Sequence, residues 1–228
     1  GQTFTQAGLA AVTGSGQADL EPRLRGLVRR ELLDLEADPR SPERGQYKFV
    51  QSLIREVAYG TLARRERRAR HLAVARYYEM LGEDELAGAL ATHYLAAHNA
   101  SGAGAEADAV AVQARLALSG AAVRAASLGA HDQAVAYLAQ ALEVTADPAE
   151  RDALLERAAI SASAAADQEA ATALARRSVE EYRRSGDAAS AARATAELGA
   201  ILLTAGEPVE AIAAMEGALA ELPDSAAD

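Results

Sequence analysis

The chain has 228 residues, half of them apolar but only 4 % aromatic, and a net charge of −10. It contains no cysteine, which excludes disulfides, thiolate metal sites and a cysteine nucleophile. No window reaches the roughly 18–20 apolar residues that span a bilayer, and "GQTFTQAGLAAVTGSG" lacks the basic start and cleavage site of a secretory signal, so a cytoplasmic protein is expected.

Alanine, leucine, glutamate and arginine dominate, which predicts a mainly all-α protein of closely packed helices. Along the chain, "FTQAGLAAVTG" is a short apolar run. "LEPRLRGLVRRELLDLE" follows as one amphipathic segment, with Leu20, Leu24, Leu27, Val28 and Leu32 at helical spacing. "ADPRSPERGQ" breaks it with two prolines and a glycine. "YKFV" alternates Tyr47 and Phe49 with polar neighbours and predicts a short strand. A period of about 3.6 then returns through Leu53, Ile54, Val57 and Leu62, and again through Leu72, Val74 and Tyr78. Helices with a small β element between them are the plan of a winged-helix domain, here residues 1–80.

Residues 84–100 predict one more helix, and "SGAGAEADA" a loop between helices, within a connecting region 81–114. Residues 1–80 carry 14 Lys/Arg and 10 Asp/Glu, whereas 81–228 carry 9 and 23. A mildly basic head on an acidic body suggests two modules, and the body would repel nucleic acid. The chain begins without Met in mid-pattern, so a piece of a longer polypeptide is expected.

From residue 115 the sequence repeats itself. "ELGAILLTAGEPVEAIAAMEGALAELP" puts Leu198, Gly199 and Leu202 on one helix and Ala211, Met215 and Ala218 on a second, with Pro223 after it. Small residues where two helices cross, a larger one a turn later and a closing proline resemble the tetratricopeptide repeat. Ala134, Leu138 and Ala141 fill the same roles in an earlier copy, with Gly129 matching Gly206 at the inter-helix turn. Ala171, Ala175 and Ser178 fill them in a third, with Ala166 at its turn. The spacings from Ala134 to Ala171 and from Ala171 to Ala211 are 37 and 40 residues. About three units over 115–228 would form an α-solenoid of tetratricopeptide-like hairpins, each too thin to bury its apolar stripe alone.

"YKFVQSLIREVAYGTLARRERRARHLAVARYYE" closely resembles a segment of large bacterial STAND ATPases. These join an AAA-like nucleotide-binding domain, a winged-helix domain and C-terminal tetratricopeptide repeats, many with an N-terminal adenylate/guanylate cyclase domain. Phe49, Gln51, Leu53, Ile54, Arg55, Glu56, Ala58, Tyr59, Leu62, Arg65, Arg68 and His71 match the pattern. The resemblance implies that ATP belongs to a domain outside this chain, where no "GxxxxGK[ST]" phosphate cradle occurs. Relatives often carry histidine where Gln51 stands. Gln51 is therefore the candidate for facing a nucleotide domain, although it cannot become cationic.

No catalytic residue, metal ligand or cofactor is expected in the chain itself. The cluster Arg64, Arg65, Arg67, Arg68 and Arg70 is nearly consecutive, so it wraps a helix end and solvates it or makes intramolecular contacts. His93 and His98, five apart, fall on different helix faces, while His71 and His131 read as ordinary surface or packing residues. Ser15, Ser119, Ser127 and Ser185 have no positioned base. The candidate binding feature is the groove lined by the first helix of each pair: Leu116, Ser119 and Val123, then Glu156, Ile160 and Ser163, then Arg193 and Leu203. Its small and apolar lining suits a protein or peptide segment, from the missing ATPase domain or a second copy. The expected function is a non-catalytic protein-interaction and regulatory region of a multidomain signalling ATPase. The alternative is a DNA-binding regulator that reads with its winged-helix-like head; nucleic acid and membrane are otherwise not expected partners.

Overall fold

A computed structural model describes residues 3–38, 40–41 and 44–221. It is mainly helical: the described residues form eleven α-helices, a 3-10 turn at Asp84–Leu86 and three short strands. Two compact units divide between Val110 and Ala111, inside one helix, so most of the 81–114 stretch goes with the first unit. No helix among the described residues is long and apolar enough to cross a membrane.

The first unit opens with β1 (Thr3–Thr5), α1 (Gln6–Thr13) and α2 (Gln17–Arg29), followed by β2 (Leu33–Leu35) and β3 (Gln46–Phe49). The strands make an antiparallel sheet of order β1-β3-β2, with Phe4 opposite Tyr47 and Leu33 opposite Phe49. Leu20, Leu24, Leu33 and Tyr47 form the buried core under it, and the Phe4 and Tyr47 rings stack at 5.6 Å. Leu32 does not continue the helix that its spacing predicts. Glu31 takes a left-handed φ of 57°, the Leu32 amide closes back on the Leu27 carbonyl, and the chain turns into β2.

Next come α3 (Ser52–Gly60), α4 (Arg64–Leu81) and α5 (Ala87–Asn99), with α4 packed on both α1 and α5. Helix α4 stops at Gly82, whose φ of 64° supplies the left-handed cap. The strand predicted at "YKFV" and the helix predicted near 84–100 are both present, as β3 and α5.

In the second unit, α6 (Ala105–Ser127) begins before the division. It is followed by α7 (His131–Glu143), α8 (Pro148–Ala164), α9 (Gln168–Ser185), α10 (Ala188–Thr204) and α11 (Pro208–Glu221). Contacts run between consecutive helices from α7 to α11. Asp147, Asp167 and Asp187 each cap the next helix, accepting from the amides of Glu150, Ala170 and Ser190. Alanines occupy the seams: Ala134, Ala171 and Ala211 are each 0 % exposed. Methyl-sized side chains let helix axes approach closely, so a core with few aromatic rings still closes. Pro223 lies outside the described residues.

Four turns of the second unit share one geometry. Gly129, Ala166, Gly186 and Gly206 take φ of 75°, 62°, 80° and 83°. After each, the next amide bonds five residues back: Ala130 to Ala125, Asp167 to Ala162, Asp187 to Tyr182 and Glu207 to Leu202. This double closure satisfies carbonyls that the helix end would otherwise leave without a partner.

Candidate functional site

The predicted groove residues lie on α6, α8 and α10, and none of them is buried. Polar contacts hold these helices side by side. The Arg115 guanidinium meets Glu150 at 2.6 Å, Arg157 donates to the Ser119 carbonyl at 3.2 Å, and Arg193 pairs with Glu156. Arg193 also lies over the Tyr182 ring. Thus Ser119, Glu156 and Arg193 take part in inter-helix contacts. The apolar members Leu116, Val123, Ile160 and Leu203 stay 51, 59, 45 and 50 % exposed, and Ser163 is half-buried. The charges on this face are largely spent on each other, so what it offers a ligand is apolar surface.

A second exposed stripe lies in the first unit. On α3 and the turn before it, Val50, Leu53 and Val57 are 49, 62 and 61 % exposed. Gln51 stands exposed at the start of that helix and makes no side-chain cap bond. The helical spacing of Leu53 and Val57 is as the sequence predicts, but the face that would conventionally be buried points to solvent.

The arginine cluster is mostly engaged within the chain. Arg64 donates to the carbonyls of Asn99 and Ser101, Arg67 to those of Leu62 and Gly60, while Arg68 meets Glu106 at 2.6 Å and Arg70 meets Glu66 at 3.2 Å. These contacts tie the start of α4 to the end of α3 and the loop after it, to the end of α5 and to the first turn of α6.

The spacing of the histidines predicts no assembly among them, and here the structure differs. Packing of α5 on α4 brings Nδ1 of His71 within 2.9 Å of Nδ1 of His93, and the Tyr59 hydroxyl lies 3.0 Å from Nε2 of His71. One Nδ1 must donate and the other accept, so a single proton lies between them and the accepting nitrogen is unprotonated. Burial, then the neighbouring His71, pushes His93 down to about 4; burial also lowers His71. Nearby, the Tyr94 hydroxyl donates to Glu79 at 2.7 Å, and burial with that carboxylate pushes it up to about 12. The pairing spans 22 residues and has no local spacing rule, so nothing in the sequence marks it. Among the described residues no cluster of three or more His, Asp or Glu side chains could hold a metal ion.

No family model matches the chain, and no curated protein matches it.

Proposed function

We propose that the chain is a protein-interaction and regulatory region of a larger signalling ATPase, without a reaction of its own. In this reading α6–α11 form a solenoid of tetratricopeptide type and the first unit carries a winged-helix head. Three observations support the architecture: the alanine seams, the turns at Gly129, Ala166 and Gly206, and the order β1-α1-α2-β2-β3 with its β1-β3-β2 sheet. ATP would belong to a separate domain, and the exposed Leu53 and Val57 stripe beside Gln51 is the face offered to it. The engaged arginine cluster gives the DNA-reading alternative no support.

The observation that carries the proposal is the row Leu116, Val123, Ile160 and Leu203 on three helices held together by their own charges. A face with apolar side chains free and charges satisfied fits the apolar stripe of a helical peptide. Partner binding would then bias the nucleotide domain between two states. Selection from a displayed helical-peptide library tests this. Winning sequences should carry apolar residues at i, i+3, i+4 and i+7, and Ile160→Glu should weaken them at least about tenfold. Peptides that bind the wild-type and variant chains equally well would refute it. In the parent, partner affinity should also differ between ADP and ATP; equal affinity counts against regulation.

A further inference from the structure

The first unit holds a cavity of about 440 Å³ that the proposed function does not use. Its walls come from β1, α1, α4 and the segment leading into α5, with Phe4, Leu9, Val12, Tyr77 and Tyr78 as the apolar and aromatic surfaces. The volume falls in the range of small-molecule sites, which are concave, largely apolar and marked by a few polar groups. Here those groups include Thr5, Gln46, Glu83 and His93. Among the described residues the lining contains one carboxylate and no lysine or arginine. His93 forms part of this wall while its Nδ1 is engaged by His71, so packing behind the cavity fixes the ring's orientation. The Tyr78 ring meets His93 edge to face at 5.6 Å centroid separation, which steadies a second wall residue.

We infer that this cavity binds a flat aromatic molecule carrying a positive charge, held between the Phe4, Tyr77 and Tyr78 rings with its cation toward Glu83. The aromatic faces favour a planar ring system and, through their negative faces, a cation. Among the described lining residues an anion meets a carboxylate and no lysine or arginine, which disfavours it. Thr5 precedes α1 and its hydroxyl accepts from the Gly8 amide at 3.0 Å, so these two lining residues are held by the cap of that helix.

Three probes sharing one ring system separate the contributions: tryptamine (cationic), indole (neutral) and indole-3-acetate (anionic). Each is titrated into the full 228-residue chain while the His93 ring protons and the Gly8 amide are followed by NMR. Saturable shifts are expected, with tryptamine about three- to tenfold tighter than indole at low salt and indole-3-acetate weakest. Glu83→Gln lies at an exposed position and should bring tryptamine to the level of indole without weakening indole. Val12→Trp, which fills the cavity, should abolish all shifts while the dispersed amide spectrum persists. If Val12→Trp does not fold, Glu83→Gln alone decides. The proposal is overturned if no probe saturates, as when another part of the protein fills the space. It is equally overturned if indole-3-acetate binds as well as tryptamine, or if Glu83→Gln leaves the ranking unchanged.

Discussion

Gly199 on α10 lies so close to Met215 on α11 that a Cβ at position 199 would collide with the Met215 Cε and stand 2.8 Å from its Cγ. A methyl group gains about 1 kcal/mol of helix propensity over glycine, but it cannot enter this seam until Met215 moves. Gly199→Val is expected to destabilise the second unit by roughly 2–3 kcal/mol. In a Met215→Ala background the penalty of Gly199→Ala should vanish and its helix propensity emerge as a gain. Urea unfolding of the single and double variants checks the coupling; additive effects would mean that the two side chains do not meet.

Ala166 occupies a backbone conformation that Gly129 and Gly206 adopt without strain. A left-handed φ costs a non-glycine residue about 1 kcal/mol, so Ala166→Gly is expected to stabilise the second unit by about 0.5–1 kcal/mol after its larger unfolded-state entropy is counted. Gly129→Ala and Gly206→Ala should each destabilise by a similar amount, since no atom lies near either position to complicate the backbone effect. Thermal midpoints of the three variants give the test; three shifts of the same sign would contradict it.

Acid should loosen the first unit. His93 titrates at about 4 when folded, against about 6.5 when unfolded. Between those values the unfolded chain binds more protons. The stability tied to the neutral pair is therefore complete above about pH 6.5 and is lost as pH falls toward 4, with a ceiling of roughly 2–4 kcal/mol. His71, Tyr78 and, through His71, Tyr59 are the groups against the ring. Amide exchange in α4 and α5 should accelerate on moving from pH 7 to pH 5, after correction for intrinsic rates. In His93→Phe that excess should shrink to the part carried by His71, and an unchanged excess would assign the effect elsewhere.

Asp152 on α8 is 2 % exposed, and its Oδ1 has no hydrogen-bond partner. Burial and then Glu181 raise its carboxyl, Asp147 adds to this, and Arg151 and Arg184 oppose it. The folded state thus holds the proton more tightly than the unfolded chain, and stability falls as pH rises through the raised value. Asp152→Asn removes the buried charge at nearly constant shape and is expected to stabilise the second unit by about 1 kcal/mol at pH 7. Denaturation at pH 7 and pH 4 measures it, the advantage shrinking at the lower pH.

Much of the second unit can be read from its sequence because its physics is local. Ala134, Ala171 and Ala211 recur at positions that are fully buried in the helix seams, and Gly129 and Gly206 mark the turns directly. Ala166 was readable only by alignment with those glycines, since its own type argues against a left-handed φ. The first unit is less legible where the deciding contact is remote. Leu32 continues a helical spacing, yet Glu31 ends the helix and the strand pairing of Leu33 with Phe49 decides the outcome. Periodicity correctly places Leu53 and Val57 on one face of α3 but carries no information on what, if anything, covers that face. The His71–His93 pair follows from α5 lying against α4, and the cavity from loops and helix ends that no motif encodes.

The chain of consecutive helix contacts from α7 to α11 has a kinetic consequence. Each helix finds its partner within a few dozen residues of sequence, so little loop entropy has to be lost before the first contacts form. Low contact order of this kind favours rapid folding from several starting points, with the seams closing outward from whichever hairpin nucleates first.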